Sequence, residues 1–228
     1  MTDNLVPIDV ARDFLAPNST RARVLIADDH CLVAAGLASL LADQFELLGT
    51  VADGRSAIEA AVKSMPDIVL MDISMPLLNG IEAARQLRVA CPGSKIIFVT
   101  VHSNPIYVAE ALAAGASGYV LKDSAPWELP AAIQKVLQGG IYVTPLIEYS
   151  ELERLRGERS EGGSRLSGRQ REVLQLVAEG RSAKEIGGIL KISRKTVEFH
   201  KNLIMKKLNL HSTAQLARYA ARERLVDG

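Results

Sequence analysis

The chain has 228 residues, enough for one large domain or two modest ones. Its hydrophobic fraction of 48% and charged fraction of 23% exclude a disordered, collagenous or fibrous protein. No apolar run approaches the roughly 18 residues of a membrane span, and residues 1–21 lack a basic segment followed by an apolar one. The two cysteines, Cys31 and Cys91, have no metal-ligand spacing. These features predict a cytoplasmic protein with both cysteines reduced and in the core.

The net charge of +1 conceals an asymmetry along the chain. Up to Glu148 there are 10 basic and 16 acidic residues, a net charge of −6. From Tyr149 onward there are 17 basic and 10 acidic residues, a net charge of +7. This distribution predicts an acidic domain joined to a basic domain that meets a polyanion.

Short apolar runs alternate with amphipathic stretches between residues 22 and 138. The runs predict strands at 24–27, 45–51, 67–71, 95–99 and 118–121, and the stretches predict helices at 31–41, 56–63, 80–89, 105–114 and 126–137. Strands that are apolar on both faces, each followed by a helix, are typical of a parallel sheet covered on both sides. We therefore predict a doubly wound α/β domain with a five-stranded parallel sheet.

The pattern changes after residue 138. Residues 139–163 are rich in glycine and charge and predict a linker, with a short solvated helix at 151–156. Residues 164–228 carry a net charge of +8 and predict a small all-α domain with short helices. Serine caps are expected at the start of these helices, at Ser167, Ser182, Ser193 and Ser212. Two such helices joined by a turn in a basic segment indicate a helix-turn-helix module. Residues 1–21 form a leader to which no role is assigned.

Polar side chains follow four of the predicted strands: Asp28 and Asp29 after the first, Asp72 after the third, Thr100 at the end of the fourth and Lys122 after the fifth. The carboxyl ends of such strands flank the crevice in which doubly wound proteins bind ligands. Three carboxylates in one crevice repel each other unless a cation compensates, and a hard divalent ion such as Mg²⁺ suits oxygen ligands. The hydroxyl of Thr100 and the ammonium group of Lys122 suit a bound phosphoryl group.

Four segments resemble the receiver domain of two-component response regulators, which has a CheY-like or flavodoxin-like fold. They are LIADDH at 25–30, LMDISMP at 70–76 with Gly80, VTVH at 99–102 and GASGYVLKD at 115–123. Residues 166–208, with AEG at 178–180 and KTVEFH at 195–200, resemble the LuxR-type helix-turn-helix of the NarL/FixJ branch. Gly187 and Gly188 stand where that family usually has alanine. Because glycine is less favourable than alanine inside a helix, the helix that contains them is expected to have low stability in isolation.

The resemblance implies a role for each residue of the acidic crevice. Asp72 is expected to accept a phosphoryl group from a sensor histidine kinase. Mg²⁺ is expected to be held by Asp72, by Asp29 directly, by Asp28 through water and by the backbone carbonyl of Ser74. Thr100 and Lys122 would then hold the phosphoryl group, while Ser74 and His102 would tune its loss, with an ordinary surface residue as the alternative for His102. Tyr119 matches the switch aromatic that turns inward as Thr100 moves, although an ordinary half-buried strand tyrosine remains an alternative. The protein is not expected to be an enzyme beyond its own phosphorylation and slow autodephosphorylation.

The third helix of the basic domain is predicted to have two faces, with Val197, Ile204 and Leu208 inside. The outer face carries Lys195, Glu198, Phe199, Asn202 and Lys206, which suit base edges in a major groove. Contacts to phosphates are expected from Lys184, Arg194, Thr196, Lys201 and Lys207. Glu198 has an alternative role in a salt bridge with a neighbouring lysine.

The expected function is a phosphorylation-controlled transcription regulator that binds promoter DNA as a homodimer, with RNA polymerase as a possible further partner. In the family that the chain resembles, the unphosphorylated receiver can also cover the recognition helix. Three other classes of protein are alternatives. An aspartate-based phosphatase needs a second Asp two residues after the nucleophile, where this chain has Ser74. A regulator independent of phosphorylation, or one that senses a small molecule, would not need the acidic crevice.

Overall fold

The structure is a computed structural model that describes residues 21–147, 166–222 and 225–226. The first range contains a parallel sheet, with the strands in the order β2-β1-β3-β4-β5-β6. The strands are β1 (Arg23–Ala27), β2 (Glu46–Val51), β3 (Ile68–Met71), β4 (Lys95–Thr100), β5 (Gly118–Leu121) and β6 (Tyr142–Val143). The central strands are buried on both faces, as their continuous apolar runs predict.

Helices cover both faces of the sheet, which confirms the doubly wound architecture. They are α1 (Cys31–Leu41), α2 (Gly54–Ser64), α3 (Gly80–Ala90), α4 (Pro105–Ala114) and α5 (Ala125–Leu137). One apolar core joins α2, α3 and α4 to the sheet, and a second joins α1 and α5 to its other face. Side-chain caps fix where α2, α3 and α4 begin, because Asp53, Asn79 and Asn104 each accept a hydrogen bond from a backbone N–H of the first turn.

Two details of this domain differ from the sequence-based prediction. The sheet has six strands rather than five, because Tyr142 and Val143, placed in the predicted linker, pair in parallel with Gly118 and Tyr119 of β5. A strand of two residues is too short to show a periodic pattern. Cys91 is buried as predicted, but Cys31 is exposed at the start of α1. The helix predicted at 151–156 lies outside the described residues.

The basic domain is all-helical, as predicted. Its helices are α6 (Gly168–Ala178), α7 (Ala183–Leu190), α8 (Arg194–Leu208) and α9 (Thr213–Arg222). The predicted capping boxes are present, from Ser167 with Gln170 and from Ser182 with Glu185, and Ser193 caps α8. All four helices contribute to one apolar core. In the described ranges, no helix combines the length and the apolar character needed to cross a membrane.

The first helix of the basic domain packs directly on the α/β domain. Arg55 of α2 forms an ion pair of 2.6 Å with Glu172 of α6, and Arg171 of α6 forms one of 2.8 Å with Glu82 of α3. Gly168 allows this approach, since a Cβ atom there would lie 2.7 Å from Oε1 of Glu82. No pattern in the sequence predicted this interface.

Candidate phosphoryl site and nucleic-acid interface

The parallel sheet brings the predicted polar residues to one edge. Strands β1, β3, β4 and β5 are neighbours, so the residues at their carboxyl ends are adjacent. The backbone continues this order beyond the strands: Asp72 N–H donates to the carbonyl of Ala27 at 2.8 Å, and Lys122 N–H donates to that of Thr100 at 2.8 Å. The crevice predicted from the sequence therefore exists.

Three carboxylates and one imidazole form a compact group at this edge. One ligand atom from each of Asp28, Asp29, His30 and Asp72 lies within 4.8 Å of the others. Asp28 and Asp72 are buried, whereas Asp29 and His30 are exposed. His30 was not among the site residues predicted from the sequence, and its Nδ1 lies 2.9 Å from Asp29 Oδ1. Its position directly after the acidic pair was the available signal. The oxygen-rich donor set and its open side fit a hard divalent cation such as Mg²⁺.

Lys122 supplies positive charge inside this group. Its Nζ lies 2.8 Å from Asp28 Oδ2 and 2.6 Å from Asp72 Oδ2. Burial alone would lower the pKa of Lys122, but the hydrogen bonds and charges of the two carboxylates raise it above its ordinary value. Burial raises the pKa of Asp72, and the charge of Asp28 adds to this, while Lys122 and a hydrogen bond from Thr100 oppose it. One ammonium group thus compensates three carboxylates only in part, which leaves the group attractive to a further cation.

A network of polar contacts connects the loops around Asp72. Thr100 is fully buried, and Ser74 Oγ lies 2.9 Å from His102 Nε2. The His102 ring stacks on Tyr107, with the ring centroids 4.2 Å apart. Tyr119 already points inward: it is fully buried, and its hydroxyl donates to the carbonyl of His102 at 2.7 Å. The inward orientation that the resemblance ties to phosphorylation is therefore present in this structure.

Helix α8 has the two faces that the sequence predicts. Val197 and Ile204 are buried, and Leu208 is half-buried. Lys195, Asn202 and Lys206 are exposed, as is Phe199 with 59% of its surface accessible. Lys184 and Arg194 are exposed too, whereas Thr196, Glu198 and Lys201 are half-buried. Lys207, a predicted phosphate contact, donates to Gln170 Oε1 at 3.1 Å.

The described hydrogen bonds and ion pairs between the α/β domain and the basic domain come from α6 and from Glu179, which follows it. Gln175 of α6 is buried and bonds to Met75 and Asn79, which lie just beyond Asp72. The outer residues of α8 remain accessible in this arrangement. Covering of the recognition helix, which the family resemblance allows, is therefore not the arrangement seen here. No sequence signal pointed to Gln175, because a glutamine inside a helix is ordinary.

Comparison with known proteins agrees with this architecture. Residues 24–134 match the response regulator receiver domain, and residues 164–220 match the bacterial regulatory proteins of the luxR family. The transcriptional regulatory protein MctR of Rhizobium johnstonii is 38% identical over 203 residues, which cover 88% of this chain and 93% of that protein. LiaR of Bacillus subtilis is 38% identical over 90% of this chain and 99% of that protein.

Solved structures show the same likeness. The RcsB response regulator of Salmonella typhimurium is 29% identical over 89% of this chain and 98% of that chain, with a TM-score of 0.61. An RcsB–DNA complex matches 88% of this chain and 98% of that chain, with 29% identity and a TM-score of 0.54. A flavodoxin-like sheet with an acidic crevice, joined to a helix-turn-helix, defines a class of two-domain regulators. The chain belongs to the two-component response regulators of the NarL/FixJ type, which combine a receiver domain with a LuxR-type DNA-binding domain.

Proposed function

We propose that Asp72 is the phosphoacceptor of this regulator and that its phosphorylation controls how the LuxR-type domain binds promoter DNA. The observation that carries the proposal is the convergence of Asp28, Asp29, Asp72, Thr100 and Lys122 at one edge of the sheet. We place the receiver at residues 22–138 and the DNA-binding domain at residues 164–228. The segment between them includes β6.

The donor set assigns a place to Mg²⁺. Asp29 and Asp72 would bind the ion directly, Asp28 would act through water, and the backbone carbonyl of Ser74 would complete the protein ligands. The ion, when bound, supplies positive charge that stabilises the phosphoryl oxygens during transfer. The exposed Asp29 faces the open side of the group, so a hydrated ion can enter there.

The residues around Asp72 orient it for phosphoryl transfer. Asp72 Oδ1 accepts a hydrogen bond of 2.6 Å from the N–H of Ile73, while Oδ2 contacts Lys122. A carboxylate oxygen of Asp72 attacks the phosphorus, the P–N bond to the imidazole of the kinase histidine breaks, and the imidazole keeps the electron pair. Thr100 and Lys122 then hold phosphoryl oxygens. Slow autodephosphorylation reverses the modification when water attacks the phosphorus and the Asp72 carboxylate leaves. Ser74 and His102 are assigned to tune the rate of this step.

The exposed face of α8 is assigned to the major groove of DNA. Phe199 suits thymine methyl groups, and Asn202 suits adenine. Lys184, Arg194, Thr196 and Lys201 are assigned to phosphates, which position the helix without specifying sequence. RcsB has been solved bound to DNA, including two dimers on two parallel DNAs, which supports binding of this chain to DNA as a dimer. A sensor histidine kinase is the partner that supplies the phosphoryl group, and RNA polymerase is a further candidate partner.

The decisive experiment is the Asp72→Asn substitution. Asparagine keeps the size of the side chain but has no carboxylate oxygen to attack phosphorus, so labelling by acetyl phosphate should be lost while the protein stays folded. Circular dichroism checks the fold, and electrophoresis of the phosphorylated protein measures the label. Asp123→Asn provides a matched control, because Asp123 is exposed beyond the site and its replacement should leave labelling intact. Undiminished labelling of Asp72→Asn would remove Asp72 from this role.

A further inference from the structure

The segment from residue 73 to residue 79, called here the β3–α3 loop, runs from Asp72 to the cap of α3. Leu77 in this loop has φ +64°, a left-handed conformation that leucine rarely adopts. The Leu77 side chain packs against the core of the DNA-binding domain. A conformation of this kind persists only where surrounding contacts hold it.

Gln175 of α6 and Glu179, the residue that follows α6, provide those contacts. Gln175 Nε2 donates to the carbonyl of Met75 at 3.1 Å, and Gln175 Oε1 accepts from the N–H of Asn79 at 2.9 Å. Glu179 Oε1 accepts from the N–H of Leu77 at 3.1 Å, and also from Gln175 Nε2 at 2.8 Å. Gln175 is 1% exposed, so water does not compete for these bonds. The DNA-binding domain therefore satisfies three backbone groups of a receiver loop.

The loop and α6 also line a cavity that reaches Asp29 of the acidic group. Asp29, Ser74, Gln175 and Glu179 line one cavity of about 220 Å³. Ser74, whose carbonyl is assigned to the metal, immediately precedes the residue that Gln175 holds. On the other side, the Ser74 hydroxyl contacts His102. Ser74 is thus held through its side chain by the receiver, and the next residue, Met75, is held through its carbonyl by the DNA-binding domain.

We propose that Gln175, together with Glu179, is a positioning residue for the divalent cation of the receiver. The two side chains hold the β3–α3 loop in the conformation that presents the Ser74 carbonyl, although neither touches the ion. This inference rests on the proposed function of the acidic group. It makes docking of the DNA-binding domain and Mg²⁺ binding mutually favourable, because a coupling between two equilibria acts in both directions.

The test measures Mg²⁺ affinity of the full chain for three proteins: wild type, Gln175→Leu and Glu172→Gln. Titration with MgCl₂ is followed by the amide chemical shifts of Ile73 and neighbouring residues. Gln175→Leu should weaken Mg²⁺ binding about tenfold, at the lower end of the loss that follows when the surroundings of a metal ligand are disturbed. Glu172→Gln is the matched control, because Glu172 lies in the same interface but contacts Arg55 and Gln86 instead of the loop. It should bind Mg²⁺ as wild type does.

Thermal unfolding without Mg²⁺ separates a positioning role from a general loss of stability. Both substitutions should lower the unfolding temperature, but only Gln175→Leu should lower the affinity for Mg²⁺. Equal Mg²⁺ affinity of Gln175→Leu and wild type would overturn the inference, and so would equal weakening by both substitutions. If Gln175→Leu does not fold, Glu179→Ala decides by the same criterion. A wild-type chain without a Mg²⁺ response would instead overturn the proposed function, and this inference with it.

Discussion

Glycine at position 80 brings the first turn of α3 against the backbone of Asp72. A Cβ atom at this position would lie 1.9 Å from the carbonyl oxygen of Asp72, far inside contact distance. The Gly80 N–H donates to the carbonyl of Ile73 at 2.8 Å and closes the β3–α3 loop. The motif that follows Asp72 therefore needs glycine because of close approach between two backbone segments.

Gly80→Ala should destabilise the receiver and displace Asp72. Overpacking of a tight site costs about 1–3 kcal/mol, and here the opposing atom is a backbone oxygen that cannot rotate away. Chemical denaturation measures the stability, and acetyl phosphate labelling measures the site. Gly93→Ala is the control, since a Cβ there meets nothing within 4 Å. Wild-type stability of Gly80→Ala would contradict the close approach.

Helix α7 contains two adjacent glycines with opposite surroundings. A Cβ on Gly187 would lie 2.8 Å from the carbonyl oxygen of Ile192, in the turn that leads into α8. A Cβ on Gly188 would meet nothing within 4 Å, and Gly188 is exposed. The sequence suggests only that both glycines soften the helix. The structure separates them, because Gly187 lets the turn fold against the helix.

Gly188→Ala should stabilise the DNA-binding domain by about 0.5–1 kcal/mol, because alanine loses less backbone entropy in a helix than glycine does. Gly187→Ala should give no such gain, since the clash with Ile192 offsets it. Thermal unfolding of the two variants side by side measures the difference. A similar gain from both would mean that the turn is looser than the structure shows.

At the scale of the whole molecule, charged side chains contribute to the contact between the two domains, while the outer face of α8 stays accessible. Ion pairs from α6 to α2 and α3 hold the domains together, and the exposed lysines of α8 face outward. The excess positive charge of the basic domain provides a surface that attracts DNA phosphates. The ion pairs between the domains run in both directions, since Arg55 belongs to the acidic domain and Glu172 to the basic one.

DNA binding should weaken steeply with salt, because neutralised phosphates release counterions. Lys201→Ala should weaken all sequences alike and reduce the slope of log affinity against log salt by about 1. Asn202→Ala should leave the slope unchanged and relax base preference instead. Fluorescence anisotropy over a salt series, with a panel of promoter fragments, measures both quantities. An equal loss of specificity in the two variants would overturn this division of roles.

The sequence alone determined the receiver sheet, the helix-turn-helix and the acidic crevice. Apolar runs and caps such as Ser182 act locally, and the carboxyl ends of neighbouring parallel strands must meet, so the strand pattern suffices to bring Asp28, Asp72 and Lys122 together. Only the tertiary structure showed the inward Tyr119, the strand β6 and the docking of Gln175 on the β3–α3 loop. These features depend on contacts between residues far apart in the chain, or on segments too short for a periodic signal. Local preferences along the chain therefore do not predict these features.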